Sequence, residues 1–185
     1  MIEANALRKG TTFTADNELF KVLDYTHNKT ARGSATIRVK VQNLRSGAIF
    51  EKTFNGGERV QDISLDHATA QYLYNDGHLY YFMDTETYEQ PAINKEVLED
   101  IIPYLTENME VKISSYEGEP LDIQIPITVD LEVIDAEPGF AGDTAQGASK
   151  PVTVSTGLVV NTPLFVNIGD TIRIDTRTGE YLTRV

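Results

Sequence analysis

The segment Tyr25–Ala35, YTHNKTARGSA, carries the residue types best suited to chemistry with a partner. It joins two strand-like runs, contains no large aliphatic side chain, and holds two cations, Lys29 and Arg32, with Gly33 directly after the second. A planar guanidinium can grip a phosphate or a base edge through paired N–H groups and can stack on a base. Gly33 allows positive φ or a close backbone approach to RNA. Loops held by rigid scaffolds are where binding residues concentrate, yet an ordinary basic surface loop has the same composition. Composition alone leaves both readings open.

Catalytic patterns are missing. No G-x-G-x-x-G follows a strand into a helix, and no G-x-x-x-x-G-K-[ST] phosphate loop occurs. His27, His67 and His78 are far apart and lack metal-ligand spacing. Acidic pairs such as Glu117 and Glu119 flank a turn, where solvation is the simpler account than acid/base work. There is no cysteine, which excludes disulfides and thiolate metal sites. We expect neither an enzyme nor a bound metal or cofactor.

The surrounding elements read as strands almost throughout. Ala35–Leu44, ATIRVKVQNL, alternates cleanly, with Ile37, Val39 and Val41 on one face and Arg38 and Lys40 on the other. Thr11–Phe13, Leu19–Tyr25 and Ala48–Phe54 complete a first group, with turns at Ala15-Asp16-Asn17 and Ser46-Gly47. Ala68–Asn75, Leu79–Asp84, Glu89–Ala92, Met109–Tyr116 and Leu121–Ile127 form a second. Its one helical stretch is Lys95–Leu98 with Asp100–Leu105, kept short by Pro103. Thr128–Ala136, Leu158–Val160, Thr171–Asp175 and Tyr181–Val185 form a third, and Gly139–Pro151 between them reads as a loop rich in Gly, Ala and Ser. About five strands per segment of roughly 60 residues fits small barrels. The expected fold is all-β, three small barrels in tandem, with boundaries at 1–64, 65–128 and 129–185.

Charge is distributed unevenly over these segments. Residues 1–64 hold ten Lys/Arg against seven acids, a net of +3, whereas residues 65–128 hold two against thirteen, a net of −11. Residues 129–185 hold four against eight, −4, which brings the chain to −12. A basic head on an acidic body suggests a partner met in one orientation, although acidic surface also serves solubility. The N-terminus MIEANALRKG has no apolar signal-type stretch, and no run approaches the roughly 20 apolar residues of a membrane span. A cytoplasmic location without membrane contact is the expectation.

These features fall into a recognisable order. Strand, His27-x-Lys29-x-x-Arg32-Gly33-x-Ala35, strand, Asn43-Leu44-x-Ser46-Gly47 resembles the first domain of the elongation factor P family. TFNGGERV at Thr53–Val60, QYLYNDG at Gln71–Gly77, FMDTETYEQ at Phe82–Gln90 and the long block Gly142–Asp170 match in the same order. The ending DTRTGEYLTR, Asp175–Arg184, is similar to the family's C-terminal signature. Each block is weak alone; collinear over the whole chain, they are specific.

The resemblance implies an SH3/KOW-like N-terminal domain followed by two OB-fold domains, in an L-shaped outline similar to tRNA. It implies a translation factor that binds both ribosomal subunits between the P and E sites, beside the P-site peptidyl-tRNA, and relieves stalling at consecutive prolines. Arg32 would be the loop tip reaching the CCA end of that tRNA, with His27, Lys29, Thr30, Ala31, Gly33 and Ser34 as loop support. Arg38 and Lys40 are then phosphate contacts or plain solvated strand residues, and Gly142, Asp143 and Lys150 are further candidates for RNA contact. Many family members carry a β-lysylated lysine at the tip within Pro-Gly-Lys-Gly, whereas this chain has Thr30-Ala31-Arg32-Gly33. A guanidinium cannot be acylated by that lysine-specific route. Another branch has a rhamnosylated arginine but usually lacks the following glycine, so a modifying enzyme acting on Arg32 and a bare arginine both remain open. Two competing readings are the factor's own paralogue and a free-standing RNA-binding protein built on OB-folds. The latter would need basic, aromatic-studded faces, against which the −11 of residues 65–128 argues.

Overall fold

The computed structural model describes residues 1–28, 35–138 and 148–185. By contact the chain divides into two compact units, Met1–His67 with Ser114–Asp122, and Ala68–Ile113 with Ile123–Val185. The described residues build three antiparallel-type sheets that are nearly all of the regular structure.

The first sheet contains β1 (Ile2–Glu3), β2 (Thr12–Ala15), β3 (Glu18–Asn28), β4 (Thr36–Asn43), β5 (Ile49–Asn55) and β6 (Arg59–Asp62), in the order β1-β6-β2-β3-β4-β5. The alternation in β4 does what its sequence dictates: Ile37, Val39 and Val41 are buried, Arg38 and Lys40 exposed. The buried set packs with Phe13, Phe20, Val22 and Val60 into one core, with the Phe13 ring 5.5 Å from Phe20 and 5.9 Å from Phe54. Asp16 and Asn17, at φ 53° and 63°, make the two-residue turn between β2 and β3, a backbone state that short polar residues tolerate and whose twist suits a hairpin. Asn43 closes β4: its side-chain oxygen accepts from the Arg45 and Ser46 N–H groups at 2.9 and 3.0 Å, and its amide donates to Glu18 at 2.8 Å. Within the same unit the Arg45 guanidinium also reaches Glu119, at 3.2 Å.

The second sheet contains β7 (Asp66–Asn75), β8 (Leu79–Asp84), β9 (Ala92–Asn94), β10 (Glu110–Tyr116) and β11 (Glu119–Gln124), ordered β11-β10-β7-β8-β9. Its core gathers Ala70, Tyr72, Tyr80, Phe82, Ile93 and Val111, covered by Leu98 from the one-turn helix α1 (Lys95–Leu98). Pro103 ends helical geometry in a 3-10 turn, Ile102–Tyr104, and Tyr104 packs into the next core.

The third sheet contains β12 (Thr128–Ala136), β13 (Ser149–Val154), β14 (Val159–Pro163), β15 (Thr171–Asp175) and β16 (Tyr181–Arg184), ordered β14-β13-β12-β15-β16. Val129, Leu131, Val133, Val152, Val154, Val160, Ile172 and Ile174 fill its interior. On its outer face Asp130 sits opposite Arg173 and takes both guanidinium bonds, at 2.8 and 3.0 Å.

Strand β13 was expected to be loop up to Pro151. It forms because Ser149–Thr153 pair with Thr162, Val160 and their neighbours on β14, while pairing with β12 starts only at Val152. Pro151 therefore sits where the strand is paired on one side, the position proline's missing N–H permits. Strand β9 begins later than expected, because the Asp84 carboxylate holds the Glu86 and Thr87 N–H groups and Tyr88 takes φ 61°, which keeps the chain in a turn.

The last turn is fixed by charge. Asp175 is almost fully buried and its carboxylate accepts from the Arg177 N–H and from both sides of the Arg177 guanidinium, at 2.8, 3.1 and 2.7 Å. Gly179, at φ 75°, faces the Tyr104 hydroxyl so closely that an added Cβ would lie 2.9 Å from it. The Arg177 side chain, with backbone N–H groups, holds the Asp175 carboxyl down at about 2. A depressed carboxylate contributes stability that is complete above the ordinary aspartate range and is lost as pH falls through its folded value. Carbon-detected NMR titration should thus place the Asp175 midpoint near 2, and Arg177→Ala should raise it toward the unperturbed ~3.9. In the first sheet, Phe13→Ala should cost about 3–5 kcal/mol. That cost would be read as lost amide exchange protection in β2–β4 while β12–β16 keep theirs.

Candidate nucleic-acid interface

Strands β3 and β4 pair from Phe20↔Asn43 out to Asn28↔Thr36, with a bulge between Val22 and Asp24. The bulge places Leu23 as the extra residue and turns the remainder of β3. Beyond it Asp24, Tyr25, Thr26 and His27 are all exposed, whereas Val39 and Ile37 on β4 stay in the core. Beyond the bulge the ladder is thus anchored to the core through β4, while the side chains of β3 from Asp24 to His27 are exposed.

Two contacts brace the base of this hairpin. The Arg8 guanidinium lies 5.1 Å above the Tyr25 ring and donates to the Asn5 and Leu7 carbonyls at 2.8 Å each. On the other side the Asn55-Gly56 backbone closes against Ala35: a Cβ on Gly56 would meet the Ala35 oxygen at 3.0 Å. Neither Arg8, Tyr25 nor Gly56 stood out as a site residue in the sequence. Arg8 is a lone cation in a polar N-terminal segment, and its stacking partner is 17 positions away. Gly56 carried a signal, a glycine pair directly after a strand, within the block TFNGGERV.

Among the sequence-derived candidates, His27 is exposed and lies opposite Ile37. Arg38 and Lys40 share the outer face of β4 and are exposed, so both are available to a partner. Their charge is partly met within the sheet. Lys40 is flanked across the ladder by Asp24 on β3 and Glu51 on β5, and Arg38 Nε is 3.8 Å from Glu51. Such an exposed pair contributes little to stability and leaves the cation free to change partners. Lys150 is placed differently, on the inward register of β13 and only 6% exposed, unlike an open phosphate contact. Lys29, Thr30, Ala31, Arg32, Gly33 and Ser34 lie outside the described residues, as do Gly142 and Asp143.

Among the described residues no group of three or more His, Asp or Glu side chains could hold a metal ion. None of the described helices is long and apolar enough to cross a membrane. The geometry is that of a scaffolded polar hairpin with outward cations on β4, suited to contact with a polyanion.

Known proteins give this geometry a context. Three family models match in succession: the elongation factor P KOW-like domain over residues 3–60, the elongation factor P OB domain over 65–123, and the elongation factor P C-terminal domain over 129–184. An elongation factor P from Thermoanaerobacter sp. (strain X514) is 52% identical over 185 residues, covering all of both chains. Those of Caldanaerobacter subterraneus subsp. tengcongensis and Clostridium botulinum (strain Eklund 17B / Type B) are 49% and 48% identical, again over the whole of both chains. A solved eukaryotic translation initiation factor 5A from Methanococcus jannaschii matches with a TM-score of 0.52 at 21% identity, over 68% of this chain and 92% of that one, a likeness of fold. With three domain models in family order and full-length relatives at about half identity, the chain belongs to the elongation factor P family of translation elongation factors.

Proposed function

We propose that this chain binds the ribosome between the P and E sites, contacts both subunits, and positions the P-site peptidyl-tRNA so that peptide bonds form at consecutive prolines. The observation that supports this most is the braced β3–β4 hairpin, which ends in Lys29–Ser34, within a chain that matches its family from end to end. Arg32 is the tip that meets the CCA end of the tRNA, His27, Lys29, Thr30, Ala31, Gly33 and Ser34 support it, and Arg38 and Lys40 meet backbone phosphates. The contribution is positional: the ribosome supplies the reacting groups, and the factor removes orientational freedom from a rigid, poorly nucleophilic proline. The division of labour follows domains at 1–64, 65–128 and 129–185, the first carrying the tip, with a cytoplasmic location as the role requires. Arg32 is also the place where a modifying enzyme would act, by rhamnosylation or another arginine modification, unless the bare arginine serves.

A reconstituted translation system making a Pro-Pro-Pro reporter tests this reading. The native protein should restore synthesis, and Arg32→Ala should lower the restored rate by roughly tenfold or more. Intact mass recorded in parallel names the modification: one deoxyhexose of excess is rhamnosylation, and the bare sequence mass means that arginine alone suffices. Failure of the native protein to restore synthesis would overturn the proposal.

The brace supplies a second test. Gly56→Ala forces the Ala35 carbonyl to move by a few tenths of an ångström. It should therefore reduce Pro-Pro-Pro rescue several-fold while β12–β16 keep their exchange protection, because small misplacements at a positioning site are costly.

A further inference from the structure

The outer face of β7 and β8 carries a feature that the role of the hairpin does not use. Tyr74 and Tyr81 are cross-strand partners with rings stacked at 4.6 Å and 20°. On a solvent-side strand face polar residues are the norm, yet here Leu79, Tyr81 and Met83 succeed one another at alternate positions of β8. Each is half-buried, and Tyr74 beside them is 53% exposed. The inner face of the same strands already has its full aromatic core in Tyr72, Tyr80 and Phe82. The tyrosine pair lies outside that core.

Its surroundings are acidic. The Asp76 carboxylate accepts from the Tyr81 hydroxyl at 3.2 Å and from the His78 and Leu79 N–H groups at 2.9 and 2.8 Å, which holds it in the charged form beside the stack. Lys95 and Lys112 are the only Lys/Arg residues between 65 and 128, and Lys95 follows Asn94, the cross-strand partner of Leu79. A net of −11 repels a phosphate backbone, so stacked tyrosines here do not serve as a platform for bases. The same charge attracts guanidinium and ammonium groups, and a tyrosine face is where such cations settle once partly desolvated.

We infer that the outer face of β7–β8 is a docking surface for an arginine- and lysine-rich polypeptide segment, whose cations lie over the Tyr74–Tyr81 stack and pair with Asp76 while its apolar side chains cover Leu79 and Met83. The inference does not depend on the positional role proposed for the β3–β4 hairpin.

The probe is a fluorescein-labelled peptide of arginine, glycine and leucine, titrated into the full chain with anisotropy and tyrosine-ring NMR shifts as readouts. The Tyr74 and Tyr81 ring signals should move on binding, and Tyr74→Phe should bind as the native chain does. Tyr74→Ala should bind roughly fivefold or more weakly at unchanged net charge. Tyr74→Thr, a good strand residue, should weaken binding equally and guards against a folding defect. Equal binding by native, Tyr74→Ala and Tyr74→Thr chains would reduce the effect to generic attraction by an acidic protein and overturn the inference. Ring shifts caused by a single-stranded RNA oligonucleotide at lower concentration than the peptide would overturn the assignment of the partner.

Discussion

Pairing between β3 and β4 is the interaction on which the rest of the first unit depends. One side of β4 supplies Ile37, Val39 and Val41 to the core, the other presents Arg38 and Lys40, and both arrangements arise from a single register. A slip by one residue would bury two cations and expose three aliphatic side chains, so the register is fixed by the cost of desolvating charge as much as by hydrophobic burial. The bulge after Val22 then turns β3 without breaking the ladder, which runs on to Asn28↔Thr36. Main-chain hydrogen bonds are directional, and a ladder of them is stiffer than a loop of equal length.

That stiffness must be supplemented where packing ends. Beyond the bulge β3 exposes four successive residues, in a ribbon of three strands formed by β3, β4 and β5. Arg8 over Tyr25 restrains one side of the ribbon, and the backbone contact of Gly56 with Ala35 restrains the other. Arg8 is itself tied to two carbonyls at the N-terminal 3-10 turn, whose Ala4 and Leu7 are wholly buried. The hairpin is therefore referred back to the core through a short chain of contacts, not through a single hinge.

How much of this was legible in the sequence depended on the range of the signal. β4 was readable because its period-2 pattern is contained within one strand, and Asp16-Asn17 because hairpin turns have local chemistry. The short strands β1 and β6 offer too few residues for any periodicity, and β13 hid behind a Gly- and Ala-rich run and a proline. The candidate site divided in the same way. Arg38 and Lys40 were visible from alternation, but the acids placed beside them, Asp24 and Glu51, depend on which strands lie next to β4. Lys150 had the composition of a surface contact and took an inward register that only strand pairing reveals. Arg8 and Tyr25 meet through space, so no short window along the chain contains both.

The acidity of the chain also changes meaning once geometry is added. Read along the sequence, thirteen acids between 65 and 128 suggest an oriented partner or a solubilising surface. Several of the carboxylates instead fasten turns: Asp76 holds the His78 and Leu79 N–H groups, Asp84 those of Glu86 and Thr87, and Asp175, further on, that of Arg177. The first two are held in the charged form by those same bonds, because a backbone N–H pointing at an oxygen favours the anion. Asp76 and Asp84, committed to their own turns, still project their field outward, since the backbone N–H groups that hold them are dipoles and not neutralising cations. Structural need and surface potential are therefore met by the same side chains. The negative field of this region arises in part from how its hairpins are closed, and any partner that docks there must accommodate a charge that folding itself requires.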